Sequence, residues 1–173
     1  MIFHKTRLLA SLVAGCLLGG AAMAAEEPSM IEEIDQSVVK EVSDLVVANI
    51  HVGDCGGTPC DPANAMEKID GMLPRDMTRQ VISRAAGSAF AEFCELDWGS
   101  QSYLPLMDRE RNSGCWSERQ IAAVAVTHGI GMGLYRNSLK TEIGQCTPSV
   151  KSAVEQYLLS LRNFTKRDDC PRW

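Results

Sequence analysis

The sequence predicts an all-α fold, a single-domain bundle of five or six helices stapled by disulfides. Apolar residues recur at spacings of three and four through most of the chain, which is the period of an amphipathic helix. No segment alternates apolar and polar residues as a strand does. An even number of cysteines in an exported chain is typical of a disulfide framework. The cysteines beyond residue 24 are Cys55, Cys60, Cys94, Cys115, Cys146 and Cys170.

Residues 1–24 predict export. A basic start precedes a long apolar run, and the segment ends in the small-residue pattern Ala22-Met23-Ala24, which a signal peptidase reads. We therefore expect a cleaved signal peptide and a single helical domain over residues 25–173, located in the periplasm or secreted. An alternative is a lipid anchor at Cys16, because the residues before it resemble a lipobox.

The net charge restricts the classes of partner. The chain carries −5, and removal of Lys5 and Arg7 with the signal peptide makes it −7. An acidic surface disfavours nucleic acid and anionic membranes as partners, and it suits a basic protein or a cationic ligand. It is equally typical of a protein that is merely kept soluble by its charge.

The first predicted helix begins at a capping box formed by Ser29 and Glu32 and runs to about Val52. Paired glycines and a proline prevent its continuation, so we expect a stapled loop over residues 53–60. The two cysteines of this loop are close enough to bridge each other, but each could instead pair with a different cysteine.

Prolines and capping boxes mark the later helices. Asp61 followed by Pro62 predicts a short helix ending at Gly71, and Pro74 opens a longer one. After a loop over residues 97–100 and a helical piece over 104–111, a helix begins at the Ser117 and Gln120 capping box. The last helix begins at Thr147 and Pro148 and ends near Phe164.

The length of the last helix constrains the disulfides. Such a helix is roughly 25 Å long, whereas the five residues before Cys170 span at most about 17 Å. We therefore expect that Cys146 and Cys170 lie at opposite ends of the bundle and are not joined. The remaining pairings stay open, because spacing alone does not determine connectivity.

The segment 121–134 is rich in small residues, and each of Gly129, Gly131 and Gly133 weakens a helix by about 1 kcal/mol relative to alanine. Close helix packing is the preferred explanation, with a kink or a ligand that needs bare backbone as alternatives. The glycine spacing does not match a dinucleotide-binding fingerprint, and the segment is too short to span a membrane.

His128 lies within that segment and is the one weak candidate for a catalytic residue. A histidine among apolar residues is more often a hydrogen-bonded core residue, and catalysis would require a carboxylate or hydroxyl partner. The partners that the sequence offers are Asp97, Glu95, Asp108 and Ser138. No nucleophile elbow or metal-binding motif occurs.

No metal site or cofactor is predicted. His51 with Cys55 and Cys60 has ligand types suited to zinc, but in an oxidising compartment these cysteines form disulfides instead of thiolates. Exposed aromatic residues are candidates for recognition, because tryptophan is enriched in binding hot spots. The candidate binding residues are Asp97, Trp98, Gly129, Gly131, Gly133 and Trp173.

These observations favour an exported protein-binding module, with an immunity protein, an inhibitor or a chaperone-like protein as examples of the class. The partner would be another protein of the same compartment. The alternatives are a small periplasmic enzyme centred on His128 and a carrier whose small-residue helix lines a pocket for an apolar ligand.

Overall fold

The computed structural model describes residues 34–164, 166 and 169–171. Over these residues it contains six α-helices and no strand, which confirms the predicted all-α bundle. The helices are α1 (Gln36–Asn49), α2 (Ala65–Asp70), α3 (Arg75–Phe93), α4 (Leu104–Asn112), α5 (Glu118–Glu142) and α6 (Pro148–Ser160). Short 3₁₀ turns follow α1 at Ile50–Val52 and α6 at Leu161–Asn163, and a π-helical turn, Gly99–Tyr103, precedes α4.

Helix α3 is the centre of the bundle. It packs along α5 and also contacts α1, α6 and the π turn. Nearly every residue from Val81 to Ala91 is buried, so this part of the helix is enclosed on several sides. Apolar side chains from α1, α4 and α5 cover its first half, and those from α5 and α6 cover its second half.

Most predicted helix starts are confirmed, because their signals are local. Pro74 is the N-cap of α3, Ser117 forms the expected capping box with Gln120, and the Thr147 side chain caps α6. The predicted capping box at residues 29 and 32 lies outside the described residues. Within them, Asp35 caps α1 by accepting a hydrogen bond from the backbone of Ser37, so this helix begins at Gln36 and not at the predicted start.

Two further predicted boundaries are wrong. The second helix begins at Ala65 and not at Pro62, because Asn64 forms a reciprocal capping box with Glu67. The Asp97–Ser100 segment is not a plain loop, since the π turn begins within it at Gly99. The Asp97 carboxylate accepts a hydrogen bond from the backbone of Ser100 and thereby stabilises the start of that turn.

Among the described residues there are three disulfides, of which one closes a loop and two join segments that are distant in the sequence. They are Cys55–Cys60, Cys94–Cys146 and Cys115–Cys170. Cys146 and Cys170 are therefore not joined, as the length of the last helix predicted. These bridges are compatible with a compartment outside the reducing cytosol. In the part of the chain that the structure describes, no helix is long and apolar enough to cross a membrane.

Candidate functional site

His128 is part of a buried polar cluster between α3, α5 and the π turn. Only 2% of its surface is exposed, and its Nε2 atom lies 3.0 Å from the Ser88 hydroxyl oxygen of α3. Its hydrogen-bond partner is thus Ser88. It is none of the four partners that the sequence offers, Glu95, Asp97, Asp108 and Ser138. This serine could not be singled out from the sequence, because no motif surrounds it in α3.

Ser88 connects the histidine to two further residues. Its hydroxyl lies 2.8 Å from the Ser102 hydroxyl and 3.1 Å from the Arg84 carbonyl oxygen. The Arg84 guanidinium donates to the Ser102 carbonyl oxygen from Nε and Nη2, at 3.3 and 3.0 Å. All four residues of this cluster, Arg84, Ser88, Ser102 and His128, are buried. The hydroxyl has one hydrogen for three neighbours, so it must also accept from one of them.

The surroundings hold the His128 imidazole neutral at pH 7. Burial lowers its pKa from 6.5 to about 4, and the positive charge of Arg84 adds to this effect. Tyr103 and Trp98 cover the ring, with centroids 4.9 and 6.1 Å from it. Trp98 is half-buried in this contact, so part of its surface stabilises the core and is not free for recognition.

A serine hydroxyl beside a neutral imidazole is the pairing of a nucleophile with a general base. Two features limit its chemistry. Ser88 and His128 are 0% and 2% exposed, which leaves no path for a substrate. Among the described residues, moreover, no carboxylate hydrogen bonds to the other imidazole nitrogen to orient the ring. The geometry therefore favours a structural cluster that fixes how α3, α5 and the π turn meet.

The three glycines of α5 differ in their surroundings. A Cβ atom on Gly131 would lie 3.0 Å from the Ala85 Cβ and 3.6 Å from the Ile82 Cα, so this glycine permits close approach of α3. Around Gly129 and Gly133 a Cβ would meet nothing within 4 Å. The packing explanation holds for Gly131 and fails for the other two.

Gly87 of α3 makes the closest helix contact among the described glycines, and the sequence does not reveal it. A Cβ on Gly87 would overlap the Tyr157 ring of α6. A lone glycine in a helix gave no sign of this contact, because its partner comes from 70 residues later in the sequence. Of the other candidate binding residues, Asp97 is exposed, and hydrogen bonds from Ser100 lower its pKa. Trp173 lies outside the described residues.

The loop closed by Cys55 and Cys60 is exposed yet well fixed. Residues 56–59 are all exposed. Within the loop, the Cys55 amide donates to the Thr58 carbonyl at 2.7 Å, and the Gly57 amide donates to the Asp54 carboxylate at 2.6 Å. Gly56 and Gly57 have φ values of 76° and 95°, which glycine adopts without strain.

Both ends of this loop are anchored on the first turns of α5. Gly53 lies so close to α5 that a Cβ added to it would be 3.1 Å from the Ala122 Cβ. On the other side, Arg119 donates to the carbonyl oxygens of Asp61 and Pro62 at 2.8 and 3.3 Å. The loop is therefore held at a fixed position on the surface although its tip contributes nothing to the core.

The described residues contain no group of three histidine, cysteine, aspartate or glutamate side chains placed to hold a metal ion. Cys55 and Cys60 are joined to each other, so they present no thiolates beside His51.

No family model matches the chain, and no curated protein or solved structure is significantly similar to it.

Proposed function

We propose that this chain is exported to the periplasm or secreted, and that it acts by binding one specific protein of the same compartment. We place the contact at the loop closed by Cys55 and Cys60. The observation that carries this proposal is that residues 56–59 are exposed while the backbone around them is fixed by a disulfide, by internal hydrogen bonds and by anchors on α5.

A fixed loop binds with less loss of entropy than a flexible one. Ordering costs on the order of 0.5–1.5 kcal/mol for each side chain immobilised in an interface, and a preformed loop avoids part of that cost. Promiscuous binders instead use surfaces that repack around different partners. The geometry therefore favours an immunity protein or an inhibitor over a chaperone-like protein.

A charge placed at the tip of the loop tests the position of the contact. We expect purified mature protein to retain one stoichiometric partner from an extract of its own compartment. Thr58→Arg should abolish that retention, because the added cation enters the interface. Ser152→Arg on α6 adds the same charge at an exposed position far along the chain, and it should bind as the wild type does.

Two results would contradict the proposal. If both variants retain the partner equally, the loop is not the contact. If the wild type retains no protein in stoichiometric amount, the chain does not act as a protein-binding module. Circular dichroism of both variants shows whether each still folds, so that a loss of binding can be assigned to the surface.

Export has a separate test. The intact mass of the protein recovered from outside the cytosol should correspond to a chain that begins at Ala25. A lipid-bearing amino terminus at Cys16 would instead support the membrane-anchored alternative.

The second candidate function is a small enzyme in which Ser88 is the nucleophile and His128 is the base. Their separation of 3.0 Å favours it, and their burial weighs against it. A folded His128→Ala variant that loses the cellular phenotype of the protein would support this candidate. The carrier hypothesis has less support, since the space beside Gly131 is filled by Ala85 and Ile82.

A further inference from the structure

A cavity of about 430 Å³ opens between one side of α1, the end of α2 and the start of α3. Its volume lies within the range of sites that bind small organic molecules. The side chains that line it include four cations, Lys40, Lys68, Arg75 and Arg79. These come from three different helices, so the fold brings them together although they are separated in the sequence.

The charge of this cavity is opposite to that of the chain. The protein has 22 acidic and 17 basic residues, whereas the cavity lining contains four cations and two carboxylates, Asp44 and Glu67. Glu67 also binds a cation that is not part of this lining. Its carboxylate accepts two hydrogen bonds from Arg119, at 2.5 and 2.8 Å, and this contact lowers its pKa. Its negative charge is therefore largely engaged by Arg119.

The four cations are available to a ligand. Neither Lys68 nor Arg75 forms an ion pair with any side chain that the structure describes. Lys40 pairs with Asp44 and Arg79 pairs with Asp76, in each case within one helix and at the surface. Exposed pairs of this kind contribute only about 0–1 kcal/mol, so an incoming anion can replace the carboxylate at little cost.

Apolar residues complete the site. Val39, Val47 and Leu73 also line the cavity, and they offer contact to the carbon framework of a ligand. Two arginines in the lining can each bind a carboxylate or phosphate with two parallel hydrogen bonds. We propose that this cavity binds an anion that carries two or more carboxylate or phosphate groups.

Isothermal titration calorimetry of the mature protein at low salt tests this proposal. Three probes are used separately: citrate, pyrophosphate and a hexaglutamate peptide. The cavity variant is Lys68→Gln with Arg75→Gln. The matched control is Lys151→Gln with Arg162→Gln, which removes the same charge at exposed positions of α6 and the turn after it. We expect at least one probe to bind, with a Kd that rises tenfold or more in the cavity variant and less than twofold in the control.

The probes distinguish the two sources of such an anion. Binding of citrate or pyrophosphate that depends on Lys68 and Arg75 supports a free small molecule. Binding of the peptide alone, with the same dependence, supports an acidic segment of another protein. If no probe binds at millimolar concentration, or if both double variants weaken binding equally, the proposal is wrong. Thr58→Arg should leave probe binding unchanged, so the outcome is independent of the proposed protein partner.

Discussion

Acid should destabilise this protein through His128. In the folded chain, burial and the positive charge of Arg84 together lower the pKa of this imidazole from 6.5 to about 4. Unfolding exposes the ring and restores its ordinary pKa, so between these two values the unfolded chain binds more protons than the folded one. The free energy of unfolding therefore falls as the pH drops through 6.5, and this contribution levels off below about pH 4.

The size of the effect follows from the two pKa values. A tenfold difference in proton affinity corresponds to about 1.4 kcal/mol, so lowering the pH from 7.5 to 4 should remove about 3 kcal/mol through this one side chain. That is a large part of the roughly 5–15 kcal/mol by which native proteins are stable. The carboxylates of Glu67 and Asp97, whose pKa values are lowered, also reduce stability in acid.

Urea unfolding at pH 7.5 and at pH 4, monitored by circular dichroism, measures the stability of the wild type and of His128→Gln. The difference between the two proteins isolates the contribution of His128 to the pH dependence. The variant keeps a polar group near Ser88 but does not titrate. We expect the wild type to lose about 3 kcal/mol more than the variant between the two pH values. Equal losses would refute this reasoning, and so would an NMR titration that places the pKa of His128 near 6.5 in the folded protein.

Four further predictions concern packing and one disulfide. Gly131→Leu should overpack the contact with α3, reduce the free energy of unfolding by about 1–3 kcal/mol and lower the Tm by several degrees. Gly129→Ala should instead raise the free energy of unfolding by up to about 1 kcal/mol, because the surroundings of Gly129 are open. Gly87→Ala should destabilise more than an ordinary glycine replacement, as thermal unfolding will show, since its methyl group would overlap a tyrosine ring. Replacing Cys94 and Cys146 by alanine should cost about 4 kcal/mol in urea unfolding, because the bridge closes a loop with a sequence separation of 52; a loss below 1 kcal/mol would contradict this.

The helix starts were predictable where the signal lies within a few residues. The capping box of Ser117 and Gln120 is an example, since both partners belong to one turn. The start of α2 carries two local signals that compete: Asp61 followed by Pro62, and the Asn64 and Glu67 capping box that the structure uses. Arg119, 57 or more residues away, binds the carbonyl oxygens of Asp61 and Pro62 outside the helix, and this long-range contact is not visible in the sequence.

The buried cluster shows a different limit of sequence analysis. The apolar surroundings of His128 predicted a core position, and the structure places it there. Its partner Ser88 lies 40 residues earlier, within a helix that has several other polar residues. Helical periodicity predicts which face of α3 is buried, but it does not predict which polar side chain meets the imidazole, because that depends on how the two helices are aligned.

The placement of the close contacts has a consequence for where function can lie. Residues 84–88 of α3 contact α5 through Ala85 and Ser88, and they contact α6 through Gly87. Substitutions there should disturb several interfaces at once. Arg75 and Arg79, at the start of the same helix, are five to nine residues before this segment, or roughly 8–14 Å at 1.5 Å per residue. The cation-lined cavity and the loop closed by Cys55 and Cys60 both lie outside it. Substitution of their exposed side chains, such as Thr58, Lys68 and Arg75, should therefore leave these interfaces intact, whereas the positive φ values of Gly56 and Gly57 require glycine within the loop.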